Sequence, residues 1–394
     1  MKATHKKLEL PFHVIKRSSM PLWKSLLIRV GTVLGALVVS SLLSVLLIGA
    51  DPIRFTVTMI EGAFGTPERI LFFVKDVAIL LCIALAITPA FKMRFWNIGA
   101  EGQTLVGALA AVAVIIYYNK TAAWLPIPEW LLLLLMFLAA VLAGAVWGGI
   151  PALFKALWGS NETLFTLMMN YVASGLVALA IALWIPDGQT ALGKLPMGVI
   201  SKYYEAHPRH PYFILIYLVL VLTYFVFVYL KHTKHGYEIS VVGESENTAN
   251  YVGINVKKVI IRTMLISGAI CGFAGFLIVA GLDQSVTPST TVGGRGFTAI
   301  MVSWLAKFNP WTMIVTSSLI TFLDRGAAQV TTTFNVDSAF PDIVTGIMLF
   351  AIIGCEFFIN YQLKRKVREK VPKIQASAKN VEKQSEQKEE TSND

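Results

Sequence analysis

The stretch "GFTAIMVSWLAKFNPWTMIVTSSLITFL" (296–323) decides how often this chain crosses a membrane. It is largely apolar, but a lysine, an amide and a proline interrupt it at "KFNP" (307–310). Proline has no amide hydrogen to donate and disfavours helix at the residue before it, so we expect a break at Asn309. The sequence therefore predicts a broken hairpin over 296–323, which enters the membrane, turns at "KFNP" and returns.

The composition of the whole chain agrees with this setting. Of its 394 residues, 55% are hydrophobic and only 15% are charged, whereas about a quarter of the residues in soluble domains are charged. A membrane-spanning helix needs about 20 mostly apolar residues. Further runs of that length are Leu26–Ala50, Ile70–Ala90, Ile98–Tyr118, Trp130–Leu153, Thr163–Ile185, Tyr212–Leu230, Ile261–Leu282 and Pro341–Tyr361. We therefore expect an all-α, polytopic integral membrane protein with about ten membrane segments, the broken hairpin included.

The lysines and arginines set the expected orientation, because short cytoplasmic segments carry an excess of them. Basic residues precede the first apolar run, and the basic stretch "KRKVREKVPK" (364–373) follows the last one. With the hairpin in place, both termini lie in the cytoplasm. We predict a cytoplasmic arm over 1–25, a transmembrane domain over 26–361 and a disordered cytoplasmic tail over 362–394.

No constellation of residues indicates catalysis or metal binding. The three cysteines lie inside apolar runs without CxxC spacing, and neither HExxH nor an acidic metal-binding cluster is present. The charges of Lys75 and Asp76 are explained by snorkelling near the end of a span. We therefore predict no catalytic residue, no metal site and no cofactor bound by this chain.

The stretch "FKMRFWNIGAEGQTL" (91–105) places a glutamate near the start of an apolar run. Glycines and amides around Glu101 suggest a distorted helix start that lines a polar cavity. Alternatively, the carboxylate only stabilises the positive end of a helix. We predict that Asn97, Glu101, Gln103 and Asn170 face a polar cavity, although an interhelical hydrogen bond would also explain Asn170.

The longest internal loop reads "KHTKHGYEISVVGESENTANYVGINVKK" (231–258). We expect a short helix over Glu244–Tyr251, bounded by Gly243 and Gly253. Such a helix can dock into a groove of a partner protein. A solvated connector is the plainer alternative.

Four runs resemble a known family: "RFWNIGAEGQ" (94–103), "GSNETLFTLMMNYVA" (159–173), "GESENTANYVGINV" (243–256) and "GFTAIMVSWLAKFNP" (296–310). They are similar to ABC importer permeases of the ribose/branched-chain amino-acid branch, and two of them to its nucleoside subgroup, which works with basic membrane lipoproteins. In the third run, the positions that match the family's coupling-loop pattern are Gly243, Ala249, Gly253 and Ile254. Those that depart from it are Ser245, Glu246 and Thr248.

The resemblance implies a type II ABC importer fold and a transport subunit of a bacterial plasma (inner) membrane rather than an enzyme. A cytosolic ATPase, which itself binds ATP and magnesium, would engage the coupling loop 231–260. The polar cavity of Asn97, Glu101, Gln103 and Asn170 would then be part of the translocation pathway. A second permease chain would complete this pathway, and a substrate-binding lipoprotein would deliver a nucleoside. The implied coupling residues are Gly243, Glu244, Ala249, Gly253 and Ile254.

Two alternatives stay open. The same machine could carry a simple sugar such as ribose. An ion-coupled secondary transporter would also contain broken helices, but would have no evident use for a cytosolic docking helix. Nucleic acid is not expected as a partner, because the basic residues lie in short loops and at the termini.

Overall fold

The computed structural model describes residues 12–16, 21–49, 51–122, 127–185, 192–195, 198, 212–337 and 339–365. The helices in chain order are α1 (Leu22–Ile48), α2 (Pro52–Phe64), α3 (Pro67–Lys92), α4 (Ala100–Tyr117), α5 (Glu129–Trp158), α6 (Glu162–Trp184), α7 (Phe213–His232), α8 (Lys234–Glu244), α9 (Glu246–Tyr251), α10 (Val256–Ile278), α11 (Arg295–Leu305), α12 (Pro310–Phe334) and α13 (Ala339–Asn360). Single π-helical turns extend α4 and α10.

The described chain is mostly helical, as predicted, but it also contains a two-stranded ribbon that the all-α prediction did not include. Strand β1 (Phe12–Lys16) pairs antiparallel with β2 (Tyr361–Arg365), so that Phe12 lies opposite Arg365. The ribbon falls on residues predicted as the arm and as the beginning of the disordered tail, and α1 also starts within the predicted arm. Neither strand could be recognised from the sequence, because each is only five residues long and its partner lies at the opposite end of the chain. Residues 366–394 of the predicted tail lie outside the described residues.

The chain divides into two compact units. One consists of Met1–Gly35 with Phe350–Asp394, and its described part holds the ribbon and the adjoining ends of α1 and α13. The other, Ala36–Leu349, contains the buried core and every residue considered below as functional.

Within the described part of the chain, six helices are long and apolar enough to cross a membrane. They are Pro67–Lys92, Ala100–Lys120, Glu129–Trp158, Glu162–Trp184, Phe213–His232 and Val256–Asp283. Helices α1 and α13 contribute the shorter apolar runs Leu34–Leu46 and Ile343–Ile359. The chain is thus a polytopic membrane protein, while the total of about ten segments stays a prediction.

The break at "KFNP" is present. Helix α11 ends at Leu305, and the backbone of Lys307 and Phe308 turns with φ of 50° and 59°. Asn309 then caps α12, because its side chain accepts a hydrogen bond from Trp311 N at 3.1 Å. Helix α12 has 25 residues and continues to Phe334, beyond the predicted end of the hairpin at Leu323. Charged residues after Leu323 suggested an end, but an ion pair with α3 accommodates Arg325 inside the bundle.

One end of the larger unit gathers the ends of several helices beside α8 and α9. Lys155, near the end of α5, lies 2.8 Å from Glu162 at the start of α6. Arg262 of α10 donates to Glu238 of α8 at 2.8 Å. We call this the α9 end of the bundle.

Glycines let helices α5 and α10 approach until their backbones are in contact. A Cβ atom added to Gly144 of α5 would lie 2.7 Å from the Cα of Gly272 in α10. One added to Gly148 would lie 2.9 Å from the carbonyl oxygen of Met264. Both glycine pairs of the GxxxG type, 144/148 and 268/272, therefore serve helix packing inside the chain.

We predict that Gly272→Val lowers the unfolding temperature of the purified protein in detergent. Its side chain would overlap the backbone of α5, and overpacking of this kind costs about 3 kcal/mol. Gly175→Val in α6 is the control, because nothing lies within 4 Å of a Cβ there. Equal midpoints for the two variants would contradict the close crossing of α5 and α10.

Candidate functional site

A non-helical segment, 93–99, separates α3 from α4 inside the bundle. Two residues that form hydrogen bonds with this segment show how deep in the bundle it lies. Asn170 lies about 12 Å along α6 and Ser267 about 16 Å along α10, from the first residue of each helix at 1.5 Å per residue. Helix α4 therefore begins well inside the helical length of the bundle and not at its α9 end.

Two buried amides hold this segment in shape. Gln103 Nε2 donates to Asn97 Oδ1 at 3.1 Å, and Asn97 Nδ2 lies 3.3 Å from Gln103 Oε1 and 3.4 Å from Ser267 Oγ. Asn97 Oδ1 also accepts from Gly99 N at 3.0 Å. Both side chains are buried. Their polar atoms therefore bind each other and the backbone where α4 starts.

Asn170 joins α6 to the same start. Its Oδ1 accepts from Gly102 N and its Nδ2 donates to Ile98 O, each at 2.9 Å. A Cβ on Gly102 would lie 2.8 Å from that oxygen, so the bond needs glycine there. The interhelical hydrogen bond considered for Asn170 is thus present.

The carboxylate of Glu101 caps a helix other than its own. Its Oε1 accepts from Gly294 N and its Oε2 from Gly296 N, each at 2.8 Å. These amides open α11, whose positive end favours a carboxylate. Gly294 has φ of +78°, and a Cβ on Gly296 would lie 2.7 Å from Oε2. Glu101 thus joins the starts of α4 and α11, which are 193 residues or more apart in the chain.

A cluster of charges beside α11 was missed from the sequence. Arg325 binds the buried Asp76 through Nε at 2.7 Å and through Nη2. Arg295 Nη2 and Lys75 Nζ lie 3.7 and 3.6 Å from the other oxygen of Asp76. The snorkelling explanation of Asp76 was therefore wrong. The sequence did contain a signal for this cluster. Arg295 and Arg325 flank the predicted hairpin, and few other charges lie near its apolar runs.

The loop at the α9 end forms two helices instead of one. Helix α8 ends at Glu244, and the Ser245 side chain accepts from Thr248 N at 3.2 Å to cap α9. The predicted helix therefore begins two residues later than expected, because Ser245 is a capping residue. Gly253, with φ of +87°, lies just beyond its end as expected. Gly243 has another role: a Cβ there would overlap the carbonyl of Lys92 in α3.

This loop presents a surface. Within α9, Tyr251 is 93% exposed, whereas Ala249 on the opposite face is completely buried. A cavity of about 640 Å³ lies between the end of α5 and the α9–α10 connection, and its lining includes Lys155, Gly253 and Ile254. Among the described residues, no group of histidine, cysteine or acidic side chains could hold a metal ion.

Comparison with known proteins agrees with this architecture. The model of the family described as branched-chain amino acid transport system / permease component matches residues 69–353. A glucose ABC transporter permease of Haloferax volcanii is 29% identical over 88% of this chain and 92% of its own. A guanosine ABC transporter permease of Bacillus subtilis is 29% identical over 78% and 87%. A nucleoside ABC transporter permease of Lactococcus lactis is 24% identical over 85% and 91%.

We predict that Glu101→Gln lowers the free energy of unfolding by about 2 kcal/mol, because an amide oxygen cannot replace both charged acceptors of the α11 amides. Unfolding in detergent measures the change. Glu68→Gln is the control, since Glu68 is an exposed glutamate also in the first turn of a helix. An equal stability of both variants would contradict the capping role.

Proposed function

The chain belongs to the family of branched-chain amino acid transport system permease components, and on that premise we propose that it imports nucleosides as part of an ATP-driven transporter. The family match covers α3 to α12 and most of α13, and so carries the assignment as a transport subunit rather than an enzyme. Nucleosides are favoured by the guanosine and nucleoside permeases among its relatives. The runs 94–103 and 159–173 add their resemblance to the nucleoside subgroup.

The α9 end would face the cytosol and dock the ATPase, which binds ATP and magnesium. In support, α9 projects Tyr251 outward, and α8 is connected to the core at two points. Gly243 packs on the end of α3, and Glu238 binds Arg262 of α10. A push on α9 would therefore reach the two central helices α3 and α10 through α8. The proposed coupling residues are Gly243, Glu244, Ala249, Gly253 and Ile254.

The translocation pathway would pass the starts of α4 and α11. Glu101 is part-exposed there and faces it, while the bonded amides of Asn97, Gln103 and Asn170 keep its wall in shape. A second permease chain completes the pathway in the plasma membrane, and a lipoprotein delivers the substrate from outside. Both termini of this chain lie in the cytoplasm.

A simple sugar is the second candidate. The observation in its favour is the glucose permease, whose identity to this chain equals that of the guanosine permease.

We predict that vesicles with this chain, its partner permease, ATPase and lipoprotein take up guanosine only with ATP. Removal of the P-loop lysine of the ATPase should abolish radiolabelled uptake, because the permease has no energy source of its own. Uptake that persists without ATP would refute an ATP-driven importer. Glucose uptake without competition by nucleosides would select the sugar permease.

We predict that Gly253→Leu reduces uptake at least about tenfold while insertion into the membrane stays normal. Leucine is strained at φ of +87° and would displace the end of α9. Gly49→Leu is the control, since Gly49 also has a positive φ, of +64°, with nothing near it. Equal uptake by wild type and Gly253→Leu would argue against docking at α9.

A further inference from the structure

Arg295 lies inside the bundle at the start of α11, next to the first turn of α4. Residues 284–294 lead into α11 without helix, and Ser174 donates to Pro288 O at 3.3 Å, about 18 Å along α6 from its start. Non-helical backbone at such a depth must be buried in protein or line a water-filled cavity. Ser289 and Thr290 are exposed, so part of this segment is not buried within the chain.

The guanidinium of Arg295 retains unused donors. It carries five N–H groups, but within the described residues its ion contact is with Asp76 at 3.7 Å, and its side chain is 32% exposed. Arg325 differs, because Nε and Nη2 both bind Asp76 Oδ2. The two arginines share one carboxylate, but among the described residues Arg325 donates two hydrogen bonds to it, whereas Arg295 makes only the longer ion pair through Nη2.

The charges around Arg295 balance. The cations of Lys75, Arg295 and Arg325 are matched by Asp76, Asp283 and Glu101, which lie within contact or electrostatic range of them. Because these charges balance, the surroundings of Arg295 carry no net charge that would attract an ion, and a neutral polar solute fits them better.

We propose that Arg295 is a substrate-binding residue that recognises the acceptor edge of a purine nucleoside. This rests on the proposed nucleoside import. A guanidinium fork donates two parallel hydrogen bonds to paired acceptors such as O6 and N7 of guanine. Glu101 holds the backbone on both sides of Arg295, through Gly294 and Gly296, and so orients the fork. A simple sugar offers hydroxyl groups, which both donate and accept, and lacks the pair of a carbonyl oxygen and a ring nitrogen.

The test compares guanosine with 7-deazaguanosine, which lacks N7, in vesicles with the complete transporter. Every sample receives the same lipoprotein, so its own preference cancels when permease variants are compared. We expect the ratio of kcat/KM for guanosine over 7-deazaguanosine to fall about tenfold from wild type to Arg295→Lys, the effect of one lost charged hydrogen bond. Lysine keeps the charge but cannot donate as a fork.

Arg325→Lys is the matched control, with the same change in the same cluster. It should slow the uptake of both nucleosides alike and leave their ratio at the wild-type value. An unchanged ratio in Arg295→Lys, or a ratio that falls only in Arg325→Lys, would overturn the assignment to Arg295 while leaving nucleoside import standing. Failure of the wild type to take up guanosine would overturn nucleoside import and, with it, the role of Arg295.

Discussion

The pair of hydrogen bonds from Gly294 and Gly296 to the Glu101 carboxylate is the contact on which the central arrangement depends. Two helices begin inside the bundle, and each leaves amide groups without intrahelical partners. One carboxylate satisfies two of those of α11 while lying in the first turn of α4. The positive ends of α4 and α11 both lie at the same carboxylate. The two helices therefore begin next to each other inside the bundle.

This arrangement explains why the surroundings are polar. The segment before α4 cannot pair its backbone groups in a helix, and Asn97, Asn170 and Thr166 supply the missing partners. Burial of these amides is tolerated because their polar atoms are bonded. Beside them, Asp76 is buried among three cations, since a carboxylate left unpaired at that depth would be strongly destabilising. The core of this transport subunit thus joins a polar centre to closely packed glycine crossings.

Much of the fold could be predicted because apolar length and proline chemistry are local properties. The six long helices and the break at "KFNP" follow from them. The apolar pattern ends at the charges after Leu323, but α12 continues beyond them, because Arg325 finds its partner on α3. The ribbon was missed for a similar reason, since β1 and β2 come from opposite ends of the chain.

At the candidate site, the sequence by itself determined that Glu101 is unusual and that a helix start surrounds it, because glycines and amides interrupt an apolar run. The sequence also determined the family resemblance and the position of Gly253 just beyond the end of α9. Only the tertiary structure decided which helix the carboxylate stabilises, and that Arg295 and Arg325 converge on Asp76. The physical reason is that a charge inside a membrane bundle is stabilised by partners from other helices, whose distance along the chain leaves no trace in the local pattern.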